Sequence, residues 1–174
     1  MSVEIWDILN SKAVPTGKTV VRGQGFLKPG EYHLVVHIWI ISSVGKFLIQ
    51  RRSDERKLMP GEWAATGGSA ISGETSFEAA KRELLEELGI RSNKHNLFKL
   101  IRLKRKNSFL DVWVITVDLP SEKLVLQKSE VKEVKWVTKD TLLQMIENGE
   151  YHNYGDEYFD NVFEKLDDYR GTFV

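Results

Sequence analysis

The 174-residue chain contains no cysteine. That absence removes disulfide staples, thiolate metal sites and any cysteine nucleophile. Net charge is missing too: 25 lysines and arginines cancel 25 aspartates and glutamates, and the pI is about 6.9. No global field therefore draws the chain to nucleic acid or to an anionic membrane. The longest nearly apolar run, Leu34 to Ile41, falls far short of the ~20 residues a spanning helix needs. Glu4 and Asp7 interrupt the N-terminus where a signal peptide would be apolar. There is no internal repeat and no low-complexity segment. The length supports one sizeable core, so the expectation is a soluble, cytoplasmic protein with one domain over residues 1–174.

What is present centres on residues 68–90, GSAISGETSFEAAKRELLEELGI, a glycine loop running into an acidic helix. Thr75 or Ser76 can cap that helix, Glu78 follows at capping-box distance, and Gly89 stands where it should stop. The predicted helix runs from Phe77 to Leu88. At ~100° per residue, Glu83, Glu86 and Glu87 share a face beside an apolar stripe of Phe77, Ala80, Leu84 and Leu88. Like charges at this spacing oppose one another by roughly 0.2–0.5 kcal/mol per pair. A bound cation reverses that sign, and clustered carboxylates are hard oxygen ligands suited to Mg²⁺ or Mn²⁺. The Gly67-Gly68 turn lets backbone come close to the same ion.

An acidic surface helix alone is ordinary, but the whole spacing is not. Gly68, Glu74, Arg82-Glu83-Leu84, Glu86-Glu87 and Gly89-Ile90 fix seven positions and make two aliphatic. A chance match at average residue usage is on the order of 10⁻⁹ or less per start position. This stretch resembles the Nudix box, the signature of the Nudix hydrolase superfamily, at every specified position. The resemblance implies metal-dependent attack of water on a diphosphate that joins a nucleoside, or another phosphorylated group, to a further moiety. It leaves the substrate and the oligomeric state open, a homodimer included. The expected partner is a small diphosphate, nucleotide-derived, with no specific nucleic-acid binding.

Around the box, Glu4–Leu9 and Thr19–Arg22 read as an N-terminal hairpin, and Tyr32–Ser42 as a central strand. Further strands are expected at Phe47–Gln50, Leu97–Arg105, Phe109–Val117 and Glu130–Val137, with Ser53–Trp63 as loop. Thr138 can cap a helix reaching Glu147, and a last amphipathic segment spans Glu157–Tyr169. Residues 1–30 would then be a hairpin extension, 31–148 the core and 149–174 a helical segment. The pattern supports a mixed α/β or α+β domain with helices covering a sheet. The resemblance sharpens this to the Nudix α/β/α sandwich with a mixed sheet.

Outside the box, His33, the run Gly45–Arg52, Lys57, Pro60-Gly61 and Trp63 look like the isopentenyl-diphosphate-isomerase-like branch of the superfamily. Isomerases of that branch use a cysteine in the segment that here reads Trp63-Ala64-Ala65-Thr66-Gly67-Gly68. This chain has none, which opposes isomerisation. A non-catalytic nucleotide sensor of the same fold stays as the alternative.

By this resemblance Glu83, Glu86, Glu87 and the Gly68 carbonyl are the expected metal ligands. Arg82 would pair with the carboxylates, and Glu74 is its natural partner. The general base stays open between Glu83 and Glu130. Arg51 or Arg52 would hold phosphate, with only one able to face the site and Arg51 favoured. His33 and His37 share a strand face and read as hydrogen-bonded structure first, as metal ligands second. Trp39, Trp63 and Trp113 read as core rather than as stacking platforms.

Overall fold

The computed structural model describes residues 3–171. Two strands, β1 (Ile5–Leu9) and β2 (Pro15–Val21), form a separate antiparallel hairpin. The main sheet takes β3 (His33–Ile41), β4 (Phe47–Arg52), β5 (Trp63–Ala64), β6 (Thr66–Ser69), β7 (Leu97–Lys104), β8 (Ser108–Thr116) and β9 (Val131–Val137). Its helices are α1 (Ser76–Leu88), α2 (Lys139–Glu147) and α3 (Asp156–Gly171). The sheet order is β5-β4-β3-β8-β7, with β6 on β3 and β9 on β4. It is mixed: β3 and β8 run parallel and the other pairs antiparallel.

Period-two alternation on the central strands builds two cores. On β3 and β8, Trp39, Ile41, Leu110, Val112 and Val114 face one side, where α2 and α3 contribute Leu142, Met145, Val162 and Leu166. Val36, Ile38, Ile40, Trp113 and Ile115 face the other, against Ala79, Ala80, Leu84 and Leu88 of α1. Helices thus cover both faces, the α/β/α arrangement expected. Each fully buried Leu or Ile in these layers stabilises the fold by roughly 1.5–3 kcal/mol relative to exposure.

The elements match the sequence reading to within a few residues except at two places. β2 begins at Pro15 rather than Thr19. The stretch after the loop also contains two strands, β5 and β6, too short to show a period. They matter for position: β6 pairs with the first half of β3, His37 opposite Gly67 and Val36 opposite Gly68. β4 takes over the second half of β3, Ile40 opposite Leu48. The two partners of β3 part between these points.

The hairpin is tied down by polar contacts. Asp7 accepts from the Ser72 hydroxyl at 2.6 Å and the Gly73 N–H at 2.9 Å, and the Ser72 N–H donates to the Ile5 carbonyl at 2.7 Å. The loop leading into α1 is thereby fixed against β1.

Candidate active site

The acidic helix is set by its own ends. Thr75 is the N-cap: its hydroxyl accepts from the Glu78 N–H, and the Glu78 carboxylate accepts from the Thr75 N–H at 2.8 Å. Gly89, in the left-handed region at φ 70°, ends the helix by donating to the Leu84 and Leu85 carbonyls. Between these caps the buried stripe of Ala80, Leu84 and Leu88 leaves the neighbouring face, with Glu83, Glu86 and Glu87, on a cleft of about 790 Å³.

The three carboxylates differ sharply in environment. Glu87 is 3% exposed, and among the described residues its Oε2 accepts from neutral donors alone, Gln50 Nε2 at 3.1 Å and the Gly67 N–H at 3.3 Å. Burial, with Glu83 and Glu130 nearby, pushes its pKa up to about 8. Glu83 is also buried; desolvation raises its pKa against the opposing pull of Arg82. Glu86 lies half-exposed.

Arg82 is the hub that orders this face. Its guanidinium donates to both Glu74 oxygens, at 2.7 and 3.0 Å, to Glu83 Oε1 at 2.8 Å, to Glu86 Oε2 at 3.2 Å and to the Ser69 carbonyl at 3.1 Å. The two-oxygen contact with Glu74 fixes the plane of the guanidinium and so the place of Glu83. The pairing of Arg82 with the carboxylates, anchored by Glu74, is the one expected from the sequence. Arg82 pairs with Glu83 and Glu86 and leaves Glu87 buried without a cationic partner among the described residues. Among the described residues no three carboxylates or histidines already converge on one point, because Arg82 and Gln50 hold these side chains individually.

The residues nonetheless fit a divalent cation. A buried carboxylate with a raised pKa and, among the described residues, no cationic partner stands near a second buried carboxylate. Gly68 keeps the space beside Glu83 open: a Cβ there would stand 2.4 Å from Glu83 Oε1. Gly67 is more constrained, since at φ 153° a Cβ would meet the Val36 carbonyl oxygen at 2.1 Å.

The NUDIX domain family model matches residues 31–156. The chain belongs to the Nudix family. An uncharacterised Nudix hydrolase of Listeria monocytogenes is 40% identical over 153 residues, covering 87% of this chain and 90% of its own. A crystal structure from Deinococcus radiodurans superposes with a TM-score of 0.75 at 26% identity, covering 91% of this chain and 97% of that one. The Nudix domain of Shewanella oneidensis NrtR, solved with ADP-ribose, shares the fold with a TM-score of 0.60 at 18% identity, over 78% of this chain and 88% of that one.

Of the Nudix residues picked from sequence, Gly68, Arg82, Glu83, Glu86, Glu87, Glu130 and Arg52 line the same cleft, with Glu74 behind Arg82. Glu130 is brought there by the segment after α1: the Gln127 N–H donates to the Glu87 carbonyl, and the Glu130 N–H to the Gln127 carbonyl. Its carboxylate pairs with Arg56. The preference for Arg51 is corrected. Arg51 faces away, donating to Glu133 at 3.0 Å and to the Gly61 carbonyl at 2.7 Å. Arg52, two residues after Gln50 on β4, shares its strand face with that partner of Glu87. His33 lies in the cleft stacked on Trp6 at 4.2 Å, and burial and Arg22 hold it neutral with a pKa of about 4. Trp39 and Trp113 are core, as expected, and Trp63 packs half-buried against the core of Trp39 and Tyr151 with Lys135 over its ring.

Sequence reasoning did not single out Tyr154, His152 or Arg105, which also line the cleft. They arrive from the α2–α3 connection and the β7–β8 turn, segments without local motif. Gly68 supplies a direct test of the geometry. Gly68→Ala should displace the Glu83 carboxylate, a flexible side-chain end, so the melting temperature should hold while kcat falls at least ~10-fold. Full activity in a folded Gly68→Ala protein would show that the placement of Glu83 is not critical.

Proposed function

We propose that this Nudix protein hydrolyses a diphosphate linkage in a nucleotide-derived or related organic diphosphate, with Mg²⁺ or Mn²⁺ as its cofactor. The observation that carries the reading is Glu87, a buried carboxylate at pKa about 8 with only neutral partners. Such a group costs the fold stability unless a cation compensates it. A divalent cation there would polarise the diphosphate oxygens and acidify a water for attack at phosphorus.

Glu83, Glu86, Glu87 and the Gly68 carbonyl hold the cation in this reading. Arg82, anchored by Glu74, keeps Glu83 and Glu86 in place. Glu83 or Glu130 accepts the proton of the attacking water. Arg52, buried at the cleft wall, binds phosphate oxygen. The shape of the cleft supports a small-molecule substrate of nucleotide size.

Turnover by the pure protein with Mg²⁺ or Mn²⁺ on a panel of nucleoside di- and triphosphates, nucleotide sugars, dinucleotides and prenyl diphosphates is the test. Release of a phosphorylated product from at least one class is expected. Binding of a nucleotide without turnover of any would replace the hydrolase reading by the sensor.

A further inference from the structure

Five arginines line the cleft: Arg22, Arg52, Arg56, Arg82 and Arg105. Arg22 pairs with Glu4, Arg56 with Glu130, and Arg82 with three glutamates. Arg52 and Arg105 have no carboxylate partner among the described residues. Arg52 donates Nε to the Leu58 carbonyl at 3.0 Å, and the Arg105 guanidinium lies 5.8 Å from the Tyr158 ring centroid. Arg52 is buried and Arg105 half-buried, and a cation withdrawn from water without counter-charge is costly unless an anion joins it.

A third donor is fixed by hydrogen-bond arithmetic. The buried Tyr158 oxygen accepts from Trp39 Nε1 at 3.0 Å and lies 3.0 Å from His37 Nδ1. Tyr158 has one proton, and among the described residues His37 Nδ1 is its one acceptor within reach. Nδ1 therefore accepts, and the neutral His37 ring carries its proton on Nε2. Burial, with Arg105, His152 and Arg52 around it, keeps the ring neutral, its pKa down at about 3. His37 is one of the residues that line the cleft, and with Nδ1 taken by Tyr158 the Nε2–H is the ring group left to meet a ligand there. Arg52, Arg105 and His37 thus all offer donors and no acceptor.

We infer that Arg52, Arg105 and His37 Nε2–H form a phosphate subsite that holds the phosphoryl group of the substrate not attacked by water. This deepens, and rests on, the diphosphate-hydrolase reading. Tyr158 and Trp39 are positioning residues: they set the tautomer of His37 without touching the ligand. The subsite explains why a purely neutral histidine sits among arginines, since only the Nε2–H form can donate there without adding charge.

The experiment separates the subsite from the hydrolase reading by working first without metal. The full chain in EDTA should bind inorganic pyrophosphate in calorimetric titration. Arg105→Gln should weaken that binding at least ~10-fold, as expected for loss of a charge-assisted contact. Lys106→Gln, an equal charge change at an exposed neighbour, should leave it as in wild type. With substrate and metal, Arg105→Gln should raise KM at least ~10-fold and move kcat less than ~3-fold. Nitrogen-15 NMR should find His37 protonated on Nε2 in wild type and should lose that preference in Tyr158→Phe. Wild-type protein that ignores pyrophosphate, Arg105→Gln that binds it equally well, or a His37 protonated on Nδ1 would each overturn the subsite. Loss of pyrophosphate binding in Arg105→Gln without any turnover in wild type would keep the subsite and remove the hydrolase.

Discussion

Glu87→Gln should lower kcat by at least ~10²-fold at saturating Mg²⁺ while raising the stability of the metal-free protein at alkaline pH. The side chain keeps its volume, and the amide oxygen can still accept from Gln50 and the Gly67 N–H. What disappears is the charge. The folded-state pKa of about 8 lies above the ~4.3 of an unfolded glutamate. The folded state therefore binds more protons between those values, and wild-type stability falls as pH rises through that window. The contribution is complete below the unfolded value and lost above about 8. Glutamine does not titrate, so the melting temperature of the variant should gain on wild type from pH 5 to pH 8. Unchanged turnover would remove Glu87 from the site, and a variant that melts far below wild type at pH 8 would contradict the buried-charge argument.

The parts of this site that were legible in the sequence are those written locally. Capping by Thr75, termination at Gly89 and the shared face of Glu83, Glu86 and Glu87 all follow from helix periodicity within one segment. The partnership of Arg82 with Glu74 is also local, eight residues apart across the loop-to-helix junction. Arg51 against Arg52 was a different problem, because strand alternation says that one faces the cleft but not which. The answer depends on which face of β4 lies under α1: Leu48, Gln50 and Arg52 share it, while Arg51 turns the other way to Glu133. Arg105, His152 and Tyr154 were illegible for a further reason: they reach the cleft through the β3–β8–β7 order and the path between α2 and α3. Long-range pairing brings them together, and no spacing along the chain records it. β5 and β6 were missed because strands of two and four residues carry no usable period.

Metal should act on stability as well as on rate, and the two should be linked through protons. A ligand that binds only the folded state stabilises it by RT ln(1 + [L]/Kd), about 2.7 kcal/mol at a hundredfold excess over Kd. For a domain of this size that raises the melting temperature by roughly 5–10 °C. The gain should depend on pH, since a cation must displace the proton that Glu87 retains below about 8. The Mn²⁺ or Mg²⁺ shift should therefore grow from pH 6 to pH 8 and flatten above. Arg82 sharpens the expectation: Glu83 and Glu86 are already partly neutralised by it, so Glu87 carries most of the pH dependence. Replacing Glu83, Glu86 and Glu87 together by glutamine removes two partners of Arg82 as well as the cation's ligands, so the variant is compared with its own metal-free form, and it should lose most of the shift at every pH. Metal titrations followed by circular-dichroism melting decide this. A triple variant that keeps the wild-type shift would place the cation elsewhere, whereas a shift in wild type that ignores pH would leave the acidic face in play and remove Glu87 as the group that titrates on binding.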